Sequence, residues 1–214
     1  TVAAPARPKL VVFLVVDGLP MRQVTAYREQ LQPDGFARFL DRGTWFADAH
    51  YGYAYTVTAA GHATMLSGAY PHRSGIIGNE WRDVATGEPR YCTGDTRYTY
   101  IGNATNKLDG TSPANLRAET VGDVLRRVTP QSKVIGISGK DRGAILPAGH
   151  AGTAYMYMSG TGEFASLSLN FARGIAQLSH QFKQRLGVRL ACRGALLRLG
   201  KLGRRDHLHR LGDA

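Results

Sequence analysis

Leu10-Val-Val-Phe-Leu-Val-Val-Asp-Gly18 is the stretch on which the class of this chain turns. An unbroken apolar run of strand length, rich in Val and Phe and closed by Asp-Gly, reads as a buried strand over 10–16. In open α/β sheets functional groups gather at the carboxyl edge of the strands, which is where Asp17 falls. The same aspartate also suits a turn or a helix N-cap.

Working outward, Pro33 to Gly43 carries Phe36, Phe39 and Leu40 at helical spacing with Gly43 as its stop, and Thr44 to Ala49 reads as a strand. Ala59 to Ser67 has the small and apolar residues of a helix beginning just beyond Thr58, whose free N–H groups suit an anion. Glu80 to Tyr91 holds the turn Ala85-Thr-Gly-Glu88 and reads as a hairpin. Ser112 to Val128 reads as one helix, Ser112 its N-cap, Pro113 its first residue, and Leu116, Val121, Val124, Leu125 and Val128 its buried stripe. Lys133 to Ser138 is a second buried strand, and 155–158 with 164–169 forms another hairpin. Helices alternating with buried strands make the class α/β, a mixed or mostly parallel sheet flanked by helices.

Composition narrows the function classes. The 214 residues are 43% apolar and 20% charged, enough for one globular domain, and no apolar run reaches transmembrane length. The net charge of +11 raises a nucleic-acid or anionic-membrane module as a rival reading. Residues 171–214, however, hold ten Lys/Arg against two acids, a net of +8, whereas residues 1–170 hold seventeen against fourteen, a net of +3. The basicity belongs to the tail. Three parts are expected: residues 1–8 as the remnant of an exported protein's leader, 9–166 as the domain, and 167–214 as an atypical Leu/Arg/Gly-rich tail, disordered or frame-shifted, with a marginal helix over 170–186. The leader points to a periplasmic or secreted protein. Cys92 and Cys192 show no metal-ligand spacing, and a bond between them is not favoured.

Two groups carry chemistry. Thr58, in Tyr55-Thr-Val-Thr-Ala-Ala-Gly-His62, is a hydroxyl that needs a metal ion or a base to act as nucleophile. Lys140 and Arg142, in Lys140-Asp-Arg142, suit phosphate oxygens, and two-residue spacing places both on one side of an extended segment. Each has a plainer reading: Thr58 as a helix cap, Asn79 as a turn residue after Gly78, Lys140 and Arg142 as solvated charges. His62 is expected to be structural, and His50, His72 and His150 have no support as ligands.

Val15-Val-Asp-Gly18, Thr56-Val-Thr-Ala-Ala-Gly-His-Ala63, Tyr70-Pro-His-Arg-Ser-Gly-Ile-Ile-Gly-Asn-Glu-Trp81 and Gly139-Lys-Asp-Arg-Gly-Ala-Ile-Leu-Pro-Ala-Gly-His150 together resemble the alkaline phosphatase superfamily. More narrowly they resemble its secreted bacterial alkaline phosphatases with a threonine nucleophile, relatives of the type I phosphodiesterase/nucleotide pyrophosphatases. The resemblance covers residues 8–166 and implies the N-terminal part of that domain. It implies zinc-dependent hydrolysis of small phosphate monoesters with two Zn2+ per intact site. Thr58 would be the zinc-bound nucleophile that becomes phosphothreonine, Asp17 a ligand of that zinc, Asn79 a donor to phosphate, and Lys140 with Arg142 the phosphoryl clamp. The diesterase branch lacks that clamp, so its presence here favours monoesters; cleavage of diesters or nucleotide pyrophosphates is the alternative reading. Most ligands of the family's zinc ions come from a later half, so impaired activity is expected here; Asp206-His207 and His209 are read as coincidental.

Overall fold

The computed structural model describes residues 8–102 and 110–167. The expected tail, its marginal helix, Cys192, Asp206, His207 and His209 lie outside the described residues, as do most of the leader and the last residues of the second hairpin.

Six α-helices and six strands, with one turn of 3-10 helix (Arg28–Gln30) between the first two helices, make up the described chain, in the order α1 (Met21–Ala26), α2 (Phe36–Arg42), α3 (Thr58–Ser67), α4 (Pro71–Ser74), β1 (Glu80–Arg82), β2 (Pro89–Tyr91), β3 (Tyr100–Ile101), α5 (Val121–Val128), β4 (Ile135–Ser138), α6 (Asp141–Ala148), β5 (Thr153–Met158) and β6 (Glu163–Leu167). β1 and β2 form the expected hairpin, with Glu80 opposite Tyr91. The main sheet runs β3-β6-β5-β4, with β4 parallel to β5 and the other two pairings antiparallel. The class is therefore α/β with a mixed sheet. Parallel strands need a crossover, and α6 is that connection.

α6 sits between two apolar clusters. Its Ala144, Ile145 and Ala148 pack with Ala154 and Met156 of the sheet. Its Leu146 joins Ala59 and Ala63 of α3, with Ile76, Cys92 and Leu116. Small residues set these close approaches. A Cβ on Gly136 of β4 would stand 2.2 Å from the Ala144 carbonyl oxygen, so only glycine lets α6 lie this near the strand.

Several expectations require correction. The run Leu10–Val16 forms no ladder among the described residues, and its side chains are 38–78% exposed. Apolar content signals a demand for burial, but a strand exists only where a partner's backbone meets it. The same holds for 44–49, which is not a strand, and for α2, whose Phe36 and Phe39 are exposed. Ile135 and Ile137 of β4 are each 56% exposed, on the sheet face away from α6, so that strand is not buried on both sides.

The helix expected over 112–128 begins only at Val121. Thr120 accepts from the Asp123 N–H at 3.1 Å and the Asp123 carboxylate accepts from the Thr120 N–H at 2.8 Å, a reciprocal capping box that ends the preceding turn. Ser112 instead donates to Asp95 at 2.7 Å, and Leu116 is buried against α3 rather than along a helical stripe. Val121, Val124, Leu125 and Val128 are exposed. Asp123 also accepts from the Ala151 N–H at 2.7 Å, fastening the loop after α6. Asp123→Ala is expected to cost about 2–4 kcal/mol, because it strands buried N–H donors, against about 1 kcal/mol for Thr120→Ala. Urea unfolding of the two variants measures the difference; equal losses would mean that the loop bond contributes nothing.

Candidate active site

The end of the 10–16 run, the start of α3 and the start of α6 meet at one carboxylate oxygen. Asp17 Oδ2 accepts from Thr58 Oγ1 at 3.0 Å and from Lys140 Nζ at 3.2 Å. Burial alone would raise the Asp17 carboxyl, but hydrogen bonds from Thr58 and Lys140 and the lysine's charge prevail and hold it below the ordinary carboxylate value. It is an anion at neutral pH. The Asp17–Lys140 pair is half-exposed on both sides, a setting in which ion pairs contribute only about 0–1 kcal/mol. A dianionic phosphate can therefore draw Lys140 away at small cost.

Thr58 is the first residue of α3, not the residue before it. The Ala59 N–H donates to Asn79 Oδ1 at 3.0 Å. That bond orients the amide: its oxygen faces the helix N-terminus, leaving Nδ2 as the donor for a ligand. His62, one turn on and buried, pairs Nδ1 with the Thr58 carbonyl at 2.7 Å, so the Nδ1–H donates to it and the histidine braces the turn that carries Thr58.

Lys140 and Arg142 are not in an extended segment. Lys140 is the N-cap of α6 and Arg142 its second residue, and their side chains take different partners, the Asp17 carboxylate for Lys140 and the Tyr91 hydroxyl for Arg142. Arg142 Nη1 donates to Tyr91 Oη at 2.8 Å. Tyr91 Oη donates in turn to Asp141 Oδ1 at 2.8 Å, and Thr93 Oγ1 donates to Asp141 Oδ2. Arg142 is joined to the other residues through the hairpin backbone, where the Cys92 N–H donates to the Asn79 carbonyl at 2.9 Å. Sequence reading missed Tyr91, Thr93 and Asp141. The acid between the two cations expected to bind phosphate was the available signal, since a carboxylate there would repel an anion unless other groups took up its oxygens.

Cys92 is fully buried and forms no disulfide among the described residues. Burial and the nearby Asp141 charge push its thiol up to about 12, so folding favours the protonated form. That contribution is present below the thiol's ordinary pKa and is lost as pH rises through about 12. In a Cys192→Ser background, Cys92 is expected to resist iodoacetamide at pH 8 and to react at once in denaturant. Rapid labelling of the native protein would show that the site is open.

These positions lie within a single family match. Residues 11–168 fit the type I phosphodiesterase/nucleotide pyrophosphatase family.

The chain belongs to that family.

It falls within the alkaline phosphatase superfamily, and among its relatives are the alkaline phosphatases PafA of Elizabethkingia meningoseptica, 42% identical over 163 residues, and PhoV of Synechococcus elongatus, 41% identical over 163 residues. Each alignment covers 75% of this chain and 30% of the relative, so the chain spans about a third of their length. The crystal structure of wild-type PafA superposes with a TM-score of 0.73 at 40% identity, covering 78% of this chain and 32% of that one. A PafA variant altered at one threonine, one asparagine, one lysine and one arginine superposes equally well, with a TM-score of 0.73 at 37% identity.

Metal-ligating capacity is limited. Among the described residues no three His, Cys, Asp or Glu side chains stand together as a metal site. Asp17 and Thr58 offer oxygen donors that suit zinc in kind, but a zinc ion takes about four ligands. The described residues do not by themselves hold two zinc ions.

Proposed function

We propose that the protein hydrolyses small phosphate monoesters through a phosphothreonine at Thr58. The observation that carries this reading is the convergence of Thr58 and Lys140 on Asp17, with Asn79 bound to the residue after the nucleophile. The substituted PafA variant supports it, since its four altered residue types are those this chain places around the site. Zinc is the proposed cofactor; when bound, it would supply Lewis-acid activation of the hydroxyl. Asp17 and Thr58 are the described residues suited to contact it, and its remaining ligands are not among the described residues, which is why weak turnover is proposed for this chain alone.

The chain's own groups define the rest. Thr58 Oγ attacks phosphorus, the bond to the ester oxygen breaks, and the alcohol leaves with a proton. Water then attacks the phosphothreonine, releasing phosphate and restoring the hydroxyl. Asn79 Nδ2, Lys140 and Arg142 meet the non-bridging oxygens on which charge is concentrated. A monoester presents three such oxygens and two charges, a diester two oxygens and one charge, so a Lys-Arg clamp favours the monoester.

The test is the turnover of an aryl phosphate monoester against the matching diester by the full chain with zinc supplied. Faster monoester turnover is expected. Faster diester turnover would assign the site to the phosphodiesterase side of the family, and turnover by neither would remove the reading.

A further inference from the structure

We propose that Tyr91 is the positioning residue for Arg142, held in place by Asp141 and Thr93, and that this relay sets the geometry of the phosphate clamp. The inference rests on the phosphate-binding role proposed for Arg142.

Among the described residues, Arg142 is anchored through Nη1, at 2.8 Å from Tyr91 Oη and 3.7 Å from Asp141 Oδ1, while its Nε is buried without a partner. An arginine tethered at one nitrogen points where its anchor points. The anchor is fixed. A tyrosine hydroxyl has one proton, and the guanidinium has only donors, so Arg142 must donate to the Tyr91 oxygen and Tyr91 must donate onward to Asp141. Asp141 takes that proton on Oδ1 and the Thr93 hydroxyl on Oδ2, and Thr93 is fully buried. Every proton in the chain has one direction.

The backbone beneath is also constrained. Asn115 Nδ2 donates to the Tyr91 carbonyl at 3.1 Å and to the Cys92 carbonyl at 3.3 Å, and the Cys92 N–H holds the Asn79 carbonyl. One hairpin therefore places both Asn79 and the anchor of Arg142. The relay has a second consequence. Asp141 lies between Lys140 and Arg142 in sequence, where an open carboxylate would repel a phosphate; with both oxygens engaged by β2 and the residues after it, its charge is turned away. Burial and the Asp141 charge also raise the Tyr91 hydroxyl well above its ordinary value, so it remains a neutral donor through the alkaline range.

The test separates positioning from phosphate binding. In the full chain, the Arg142 Nε–H resonance, assigned by its disappearance in Arg142→Lys, is expected to be sharp and slowly exchanging. Tyr91→Phe is expected to speed that exchange about tenfold or more. The same variant is expected to weaken inorganic phosphate binding about tenfold, yet to change nothing further in an Arg142→Ala background. Asp141→Asn, which can accept only one of the two hydroxyls, is expected to show the same signature and serves if Tyr91→Phe fails to fold. An unchanged Nε–H in both variants overturns the proposal, as does an equal loss of phosphate affinity with and without Arg142. A protected Nε–H in a wild-type chain that binds no phosphate, with the protection lost in Tyr91→Phe, would sustain the relay and remove the proposed function.

Discussion

Thr58→Ala is expected to lower phosphate monoester turnover by a factor of about a thousand or more, relative to the unaltered chain under the same zinc supply. The expectation follows from position. Thr58 opens α3, its hydroxyl is 3.0 Å from the Asp17 carboxylate, and its carbonyl is braced by His62. Loss of the hydroxyl removes the proposed attacking atom while leaving the Ala59 N–H bonded to Asn79 and α3 packed through Ala59 and Ala63. The structural cost is small, because the lost hydrogen bond lies at a half-exposed carboxylate and contributes about 1 kcal/mol. Thr58→Ser keeps the nucleophile and is expected to stay within about tenfold of the original rate. Acid quenching followed by peptide mass analysis should place a phosphoryl group on Thr58 in the unaltered chain and on no residue of the alanine variant. A wild-type rate in Thr58→Ala would exclude attack by this threonine.

The second large effect concerns substrate choice. Lys140→Ala with Arg142→Ala is expected to reduce kcat/KM for a monoester about 10²–10⁴-fold, since each charge-assisted hydrogen bond to phosphate contributes about 1.5–3 kcal/mol. The diester, with fewer charged oxygens to hold, should lose less than about tenfold. The variant would therefore convert a monoester preference into near indifference. Lys140 is bound to Asp17 in this structure, but that half-exposed pair is weak enough for substrate to replace. Equal losses on both substrates would mean that the two cations act on general affinity rather than on the monoester's additional charge. Separate single variants apportion the effect, with the larger share expected from Arg142, whose planar fork can hold two oxygens at once.

Much of this was legible in order along the chain. The hairpin around Gly87, the helix after Thr58 and the strand before Gly139 follow from local turn chemistry and periodicity, which act over a few residues and need no distant partner. The sequence by itself determined the α/β class and singled out Asp17, Thr58, Asn79, Lys140 and Arg142. Tertiary structure decided what their neighbours are. Leu10–Val16 asks for burial, yet among the described residues no strand edge pairs with it, because a ladder depends on a second segment that periodicity cannot supply. Lys140 and Arg142 lie at the start of α6 rather than along a strand, a placement made when Ala144, Ile145 and Ala148 bury against the sheet. The relay from Thr93 through Asp141 and Tyr91 to Arg142 joins residues about fifty positions apart. Such a relay is invisible until packing brings β2 against α6, since hydrogen-bond direction and reach are properties of atoms within about 3 Å, not of spacing along the chain.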